Sequence, residues 1–335
     1  MKTLVLYLCM LLLQNSGPTV LFWNVENFFD WRNDTTSVSD AEFSSRGERH
    51  WTRRRFYTKC NAIAKSIMWI AAQEGKFPDI IGLAEVENAF VLKRLLRSTA
   101  LQKLDYEIVH FDSPDRRGID VALLYRTSTL ELSSSKPCHL YAPEVDIGNA
   151  NIPVADIGTS APNARGQPAI LPTRDILLAT FREAGGDDIA VLVNHHPSKY
   201  GGSELSDARR RIAVVRLRNL CDSLLAAGID RIAAVGDFND TPDNPLYALL
   251  DGSMVNLSLP LWQAGLGSIR FEGKWELIDL CFVSLSLAEV ASAEVLSIPF
   301  LLVPDRSGGV KPLRTYSGPR YLGGVSDHCP IILKL

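Results

Sequence analysis

Two short stretches set acid–base side chains beside amide and cationic ones: "VNHHPSK" (193–199) and "GDFND" (236–240). Histidine changes charge near neutral pH, and a carboxylate beside it fixes its tautomer for proton transfer. A third stretch, "VSDHCPI" (325–331), puts Asp327 against His328, and "ELIDLCFV" (276–283) carries Asp279 inside an apolar run. Upstream, "FWNVEN" (22–27) and "IIGLAEVEN" (80–88) supply Asn24, Glu26, Glu85 and Glu87. Carboxylates with amide oxygens suit a hard cation such as Mg²⁺ or Mn²⁺, whereas zinc favours His and Cys. Each residue alone has an ordinary reading: Asn24 as a strand-end cap, Glu85 as a solvated strand terminus, His328 as a satisfied histidine. Their shared setting, a polar group directly after a run of Val, Ile and Leu, is what marks them together.

Those apolar runs are the elements that must hold the polar residues. "TVLFWNV" (19–25), "DIIGLAEV" (79–86), "DVALLYR" (120–126), "RIAAVGDF" (231–238), "ELIDLCFVS" (276–284) and "PIILKL" (330–335) read as strands. "ILLATF" (176–181) and "IAVLVNHH" (189–196), with "AGGDD" between them, read as a hairpin. Residues 54–73, with Ile63, Ile67 and Ile70 three to four apart, predict a helix, as do 89–98 and 204–228, the last closed by Gly228. Crossovers mixed with a hairpin indicate an α/β protein with at least one mixed sheet, where ligands bind beyond the strand ends. Residues 127–172, rich in Pro, Ser, Asn and Gly without a clear period, read as a long excursion or a flap over the site. No linker or repeat divides the chain, so residues 18–335 are expected to form one domain.

The 335 residues are 46% hydrophobic with a formal charge of −3, which gives no global electrostatic reason to bind nucleic acid. A local basic cleft would suffice. The six cysteines, at 9, 60, 138, 221, 281 and 329, lack paired spacing, so they are expected to be small buried hydrophobes rather than a zinc site or a disulfide framework. Lys2 followed by the apolar run Leu4–Leu13 reads as a signal peptide over residues 1–17, and hence as export to the periplasm, the medium or the cell surface. Ten apolar residues are too few to span a bilayer.

In order along the chain, "FWNVENFFD", "DIIGLAEVEN", "RGIDVALLYR", "VNHHPSK", "VGDFND", "ELIDLCFVS" and "VSDHCPI" resemble the motifs of the endonuclease/exonuclease/phosphatase superfamily, from about residue 19 to 335. The resemblance implies a DNase I-like four-layered α/β/β/α sandwich with two packed mixed β-sheets. It also implies roles. Glu85 and Asn24 would hold the metal, with Asp327 assisting. Asp237 would orient or deprotonate the attacking water, and Asn239 would hold the phosphate. His328 would be the catalytic histidine, oriented by Asp279, while His195 contacts phosphate or the leaving group.

Lys199, Arg117 and Arg174 are candidate phosphate contacts, against a default reading as solvated surface charges. Glu26 stands where relatives carry Asp or another short polar residue, and His196 is read as structural. Asp237 and Asn239, an i, i+2 pair, are expected to project from one strand end. The implied activity is metal-dependent phosphoester hydrolysis, first as an endo- or exonuclease. A lipid- or inositol-phosphate-directed enzyme is the alternative, with "LWQAGLG" (261–267) as a faint lipid-contact candidate, and a non-catalytic binding protein on this fold is the remote one. A monomer with no obligate protein partner is expected.

Overall fold

The computed structural model describes residues 17–33, 37–141, 169–183, 186–198 and 203–335. The first sheet contains β1 (Thr19–Phe28), β2 (Ile80–Val86), β3 (Tyr106–His110) and β4 (Asp120–Arg126). The second contains β5 (Leu130–Cys138), β6 (Ile176–Glu183), β7 (Asp188–His195), β8 (Arg231–Asp237) and β9 (Met254–Asn256). A hairpin of β10 (Ile269–Phe271) and β11 (Lys274–Glu276) precedes β12 (Asp279–Ser284), which returns to the second sheet. After β13 (Ser292–Val295) come the small pairs β14 (Leu302–Pro304) with β15 (Val310–Pro312) and β16 (Tyr316–Ser317) with β17 (Arg320–Tyr321). The chain closes on β18 (Ile331–Lys334). The sheet orders are β13-β18-β1-β2-β4-β3 and β5-β6-β7-β8-β12-β9.

Each sheet has a single parallel pair, β1–β2 and β7–β8, and all its other pairings are antiparallel. A parallel pair needs a crossover long enough to return the chain, and helices supply it here. Arg53–Glu74 lies between β1 and β2, and Ser203–Ala226 between β7 and β8. Thr52 caps the first helix by accepting from Arg55 N–H, and Gly75 at φ 73° ends it in a conformation that only glycine adopts cheaply.

Strand alternation sorts side chains into layers. Val20 and Phe22 of β1 meet Val191 and Val193 of β7, Ala233 and Val235 of β8 and Cys281 of β12 in a core between the sheets. Leu21 and Trp23 point the other way, onto Phe56, Cys60, Ile63 and Ile67 of the first helix. Leu192, Ile232 and Ala234 pack on Ile212, Leu217 and Cys221 of the second. Burial on both faces is why these strands read as continuous apolar runs. The result is the expected α/β/β/α sandwich. Burying a side chain such as Phe22 contributes roughly 1.5–3 kcal/mol.

One expectation is corrected. Part of the 127–172 stretch is the regular edge strand β5, paired with β6 from Leu130–Glu183 to Cys138–Ile176 with a bulge at Leu132/Ser134. One exposed face and the bulge blur its period, and Pro137 is tolerated because an edge strand leaves donors unpaired. Residues 142–168 of that stretch, and with them the reading as a flap, lie outside the described residues, as do residues 1–16 of the segment 1–17 read as a signal peptide. "LWQAGLG" ends the short helix Ser258–Gln263, with Leu266 its one large exposed hydrophobe. The five described cysteines are all buried and free. Among the described residues, no helix is long and apolar enough to cross a membrane.

Candidate active site

Register builds the first half of the site. The parallel pairing of β7 and β8 runs unbroken to His195 opposite Asp237, and β8 and β12 set Asp279 opposite the same Asp237. These three share the parity of Val193, Val235 and Cys281, so they end the layer between the sheets. Gly236 makes the close approach possible, because a Cβ there would stand 2.3 Å from the Asn194 carbonyl oxygen. His328 arrives from the turn before β18. Its backbone N–H donates to Ser326 Oγ at 2.9 Å, its carbonyl accepts from Trp23 Nε1 at 2.9 Å, and Ser326 Oγ donates to the Asn24 carbonyl at 2.6 Å. Its Nδ1 lies 2.7 Å from Asp279 Oδ2, and its Nε2 lies 3.9 Å from both Asp237 Oδ2 and Asp327 Oδ1.

Burial opposes a charge on His328, but Asp279, by charge and hydrogen bond, together with Asp237 and Asp327, outweighs it and holds the pKa well above the usual histidine value. Asp237 is pushed up to about 7, chiefly by burial, with His328 pulling the other way. His195, 3.6 Å from Asp237, is held well below the ordinary range by burial and then by Arg174 and Arg117, so it is neutral. Its buried Nδ1 has no protein partner. A cationic imidazole, a neutral one and a carboxylate near neutral pH therefore share one cleft.

The other half is built on irregularity. Register shifts interrupt β1 between Asn24 and Phe28 and β2 between Ala84 and Val86. At those bulges Glu26, Asn27 and Glu85 adopt φ of 47°, 50° and 62°, which non-glycine residues avoid. The Asn27 N–H fixes Glu85 Oε2 at 2.8 Å. Asn24 Oδ1 accepts from Glu26 N–H at 3.0 Å, while Nδ2 donates to Asp237 Oδ2 at 3.0 Å and lies 3.5 Å from Glu85 Oε1. In this rotamer the Asn24 amide links the carboxylates of the two sheets.

Glu26 is pushed up to about 7 by burial and then by Asp327. Lys59, fully buried on the first helix, donates to the Glu26 carbonyl and to Thr315 Oγ1, and burial lowers its pKa to about 8. Arg314 joins Glu26 and Asp327, at 3.2 and 2.7 Å. Sequence reasoning missed Lys59, Thr315, Arg314 and Ser326. Lys59 sits at a core-facing position of its helix, a signal open to notice, whereas nothing in the sequence places residues 314–326 beside β1.

Asn239 is not on the strand. β8 ends at Asp237, and Asn239 follows in the left-handed region at φ 54°, its N–H on Asp237 Oδ1 at 2.9 Å and its Nδ2 donating to the His196 carbonyl at 2.9 Å. A local Asx-type turn, rather than strand alternation, brings it to the cleft. His196 has the opposite parity to His195 and packs against Phe238 in the helix-side core, with ring centroids 4.4 Å apart. Arg174 is no surface charge. It is buried, paired with Asp115 at 3.1 Å, and donates to the His196 carbonyl at 2.5 Å. Arg117 is half-exposed, 3.7 Å from Asp115. Lys199 lies outside the described residues.

The donor set fits a hard divalent cation. Glu85, Asp327 and Asp237 offer carboxylate oxygens, and the neighbouring Cys281 and Cys329 are buried thiols with pKa values raised by burial rather than thiolates. Among the described residues, Asp237, Asp279 and His328 form one compact set of potential ligand atoms, and His110, Asp112 and Asp120 another, at the end of β3 and β4 where Asp120 pairs with Val86 of β2.

Comparisons with known proteins agree with this picture. A family model described as "Endonuclease/Exonuclease/phosphatase family" matches residues 19–150 and 162–335. The human Nocturnin catalytic domain with bound sulfate is similar in structure, with a TM-score of 0.55, 17% identity, and 96% of this chain and 94% of that one covered. The mannosyl-6-phosphatase of Bacteroides thetaiotaomicron gives 0.54 at 14% identity, covering 95% of this chain and 98% of that one. D. rerio TDP2 complexed with single-strand DNA product gives 0.51 at 15%, covering 95% and 98%. No curated protein sequence matches the chain.

Proposed function

The chain belongs to the endonuclease/exonuclease/phosphatase family, and from that premise we propose that it is a Mg²⁺- or Mn²⁺-dependent phosphodiesterase acting on nucleic acid. The observation that carries the reading is the meeting of Asp237, His328–Asp279 and Asn24–Glu85 at one end of the inter-sheet layer, drawn from strands of both sheets. Such a cleft can orient a water on one side of a phosphorus and neutralise charge on its oxygens. Glu85, with Asp327 and Asn24 nearby, would hold the cation, which supplies Lewis-acid polarisation of the phosphate.

The protein's own groups divide the remaining work. Asp237 orients the water and takes its proton. His328, kept cationic by Asp279, donates from Nε2 to a phosphate oxygen. His195, neutral and with Nε2 3.6 Å from Asp237 Oδ2, meets the phosphate or the leaving group, and Asn239 grips a non-bridging oxygen. The relatives named above include a sugar phosphatase and a protein holding a DNA product, so the reaction class is better supported than the substrate. Export, read from the segment beginning at Lys2, is part of the same proposal.

Turnover of bis-p-nitrophenyl phosphate with Mg²⁺ tests the reaction, and a panel of DNA, RNA, sphingomyelin and inositol phosphates tests the substrate. No turnover of any of them by folded protein in Mg²⁺ or Mn²⁺ would overturn the assignment. Amino-terminal sequencing of protein from its host should find a start near Gly17 or Pro18, and an intact Met1 on cytosolic protein would reverse the export reading.

A further inference from the structure

Beside the bulged half of the site lies a surface of arginines stacked on aromatic rings. Trp31, Tyr57 and Phe90 are half-buried, with ring centroids 5.6 and 5.7 Å from Trp31 to the other two. Arg32 lies 4.1 Å from the Phe90 centroid and 5.5 Å from that of Trp31. Arg53 lies 5.8 Å from Trp31 and 5.6 Å from Tyr57, and Arg94 lies 4.9 Å from Phe90. Guanidinium–ring contacts occur roughly once per 70–80 residues in proteins. Five of them sharing three rings make a built cluster rather than scatter.

Most of its charge has no ion-pair partner among the described residues. Arg32 pairs with Asp30, but no carboxylate among the described residues forms an ion pair with Arg53, Arg54 or Arg94, all exposed. Arg53 and Arg54 also stand in the first turn of a helix that has no acidic residue there, where the helix dipole disfavours cations. The arrangement costs stability that an external polyanion would recover. Trp31 follows Glu26 by five residues and Phe90 follows Glu85 by five, so the cluster lies within about 18 Å of the site by chain reach.

We propose that this surface binds the unpaired strand of a nucleic acid whose scissile phosphate lies in the cleft, which deepens the functional reading above and rests on it only for the position of that phosphate. Arginine planes already backed by rings stack on bases and pair with phosphates together. An anionic membrane fits less well. Among the described residues the strongly exposed large hydrophobes, Phe271, Leu285 and Val290, lie elsewhere, leaving no described apolar wedge in the cluster to enter a bilayer.

The test is the full chain and its R53Q/R94Q variant, titrated with fluorescein-labelled oligothymidylate in EDTA, which prevents cleavage, over a range of salt. Neither residue is in the catalytic machinery, and both side chains are exposed, so the variant should keep its melting temperature and its turnover of bis-p-nitrophenyl phosphate. Oligonucleotide binding should weaken at least about tenfold. The slope of log K against log salt should fall by about 1.4, for two lost phosphate contacts on a single strand. Unchanged affinity and slope overturn the proposal. Loss of binding to phosphatidylserine vesicles with unchanged oligonucleotide affinity overturns it in favour of a membrane contact. If the wild type fails to turn over the small substrate yet shows arginine-dependent binding, the catalytic reading falls and the surface stands.

Discussion

Each sheet contains one strand–helix–strand unit, and the two units meet the cleft in opposite ways. In β7–helix–β8 the register holds to the last pair, so His195 and Asp237 inherit their direction from the apolar residues two positions before them. In β1–helix–β2 the register breaks at both strand ends, and Glu26, Asn27 and Glu85 sit in left-handed conformations. The regular unit delivers the groups proposed above for proton transfer, where alignment matters. The bulged unit turns carboxylates that pleating would aim away into a shared pocket, with Lys59 and Arg314 offsetting the accumulated charge. Backbone strain of this kind costs of order 1–3 kcal/mol per residue and persists where surrounding structure over-determines it.

The largest expected effect strikes both units together. Chelation with EDTA should abolish phosphodiester turnover, and Mg²⁺ or Mn²⁺ should restore it. Full activity in a rigorously metal-free preparation would detach the bulged unit from the chemistry altogether. Within that unit, Glu85→Gln keeps the shape and the Asn27 N–H bond but removes charge, so it should raise the Mg²⁺ concentration needed for half-maximal rate with little change in stability. A magnesium curve that coincides with the wild type's would show that Glu85 serves the bulge alone.

In the regular unit the effect should fall on kcat. Asp237→Asn keeps size and most hydrogen bonds, but loses the charge that orients and activates water. General-base contributions run to roughly 10²–10⁴-fold, and a loss of that order with KM little altered is expected. Near-normal kcat in folded protein would remove Asp237 from the mechanism and leave its bond to Asn24 as its purpose.

Asn239 should come next. If it acts as an oxyanion-type donor, Asn239→Ala loses about 2.7–4 kcal/mol of transition-state stabilisation. Asn239→Gly separates that role from backbone geometry, because glycine accepts φ 54° without strain. Equal kinetic losses in both variants assign the effect to the amide, whereas recovery in the glycine variant assigns it to the turn.

The same contrast explains what was legible in the sequence. Burial on both faces made the strands of both units readable, and alternation correctly separated His195 from His196. Alternation failed where the backbone leaves the strand. Asn239 reaches the cleft through a turn at positive φ, which an i, i+2 argument cannot supply. For Arg174, a candidate phosphate contact with a surface charge as its default reading, nothing local announces that Asp115 and the His196 carbonyl, both distant in sequence, will bury it. Arg314 and Thr315 were invisible for the same reason: their partners are set by tertiary packing and not by the neighbouring residues.

The smallest kinetic effect should come from His196, whose side chain points away from the cleft. His196→Phe keeps a ring on Phe238, and the bonds from Arg174 and Asn239 go to the backbone carbonyl, which the substitution leaves in place. Most activity should therefore survive. The signature belongs to stability and has a definite sign. Burial, reinforced by Arg174, lowers the His196 pKa to about 3, while the unfolded chain takes up the proton near 6.5. Between those values the unfolded state binds more protons, so this residue's contribution to stability falls as the pH drops below about 6.5. At pH 5 the gap amounts to about 2 kcal/mol. Asp237, raised by burial to about 7, pushes the wild type the other way, so the quantity to measure is the difference between variant and wild type. Denaturant midpoints at pH 7 and pH 5 should show the His196→Phe protein losing less stability on acidification than the wild type does. Equal losses would mean that His196 titrates normally, and hence that it reaches water on the cleft side with His195.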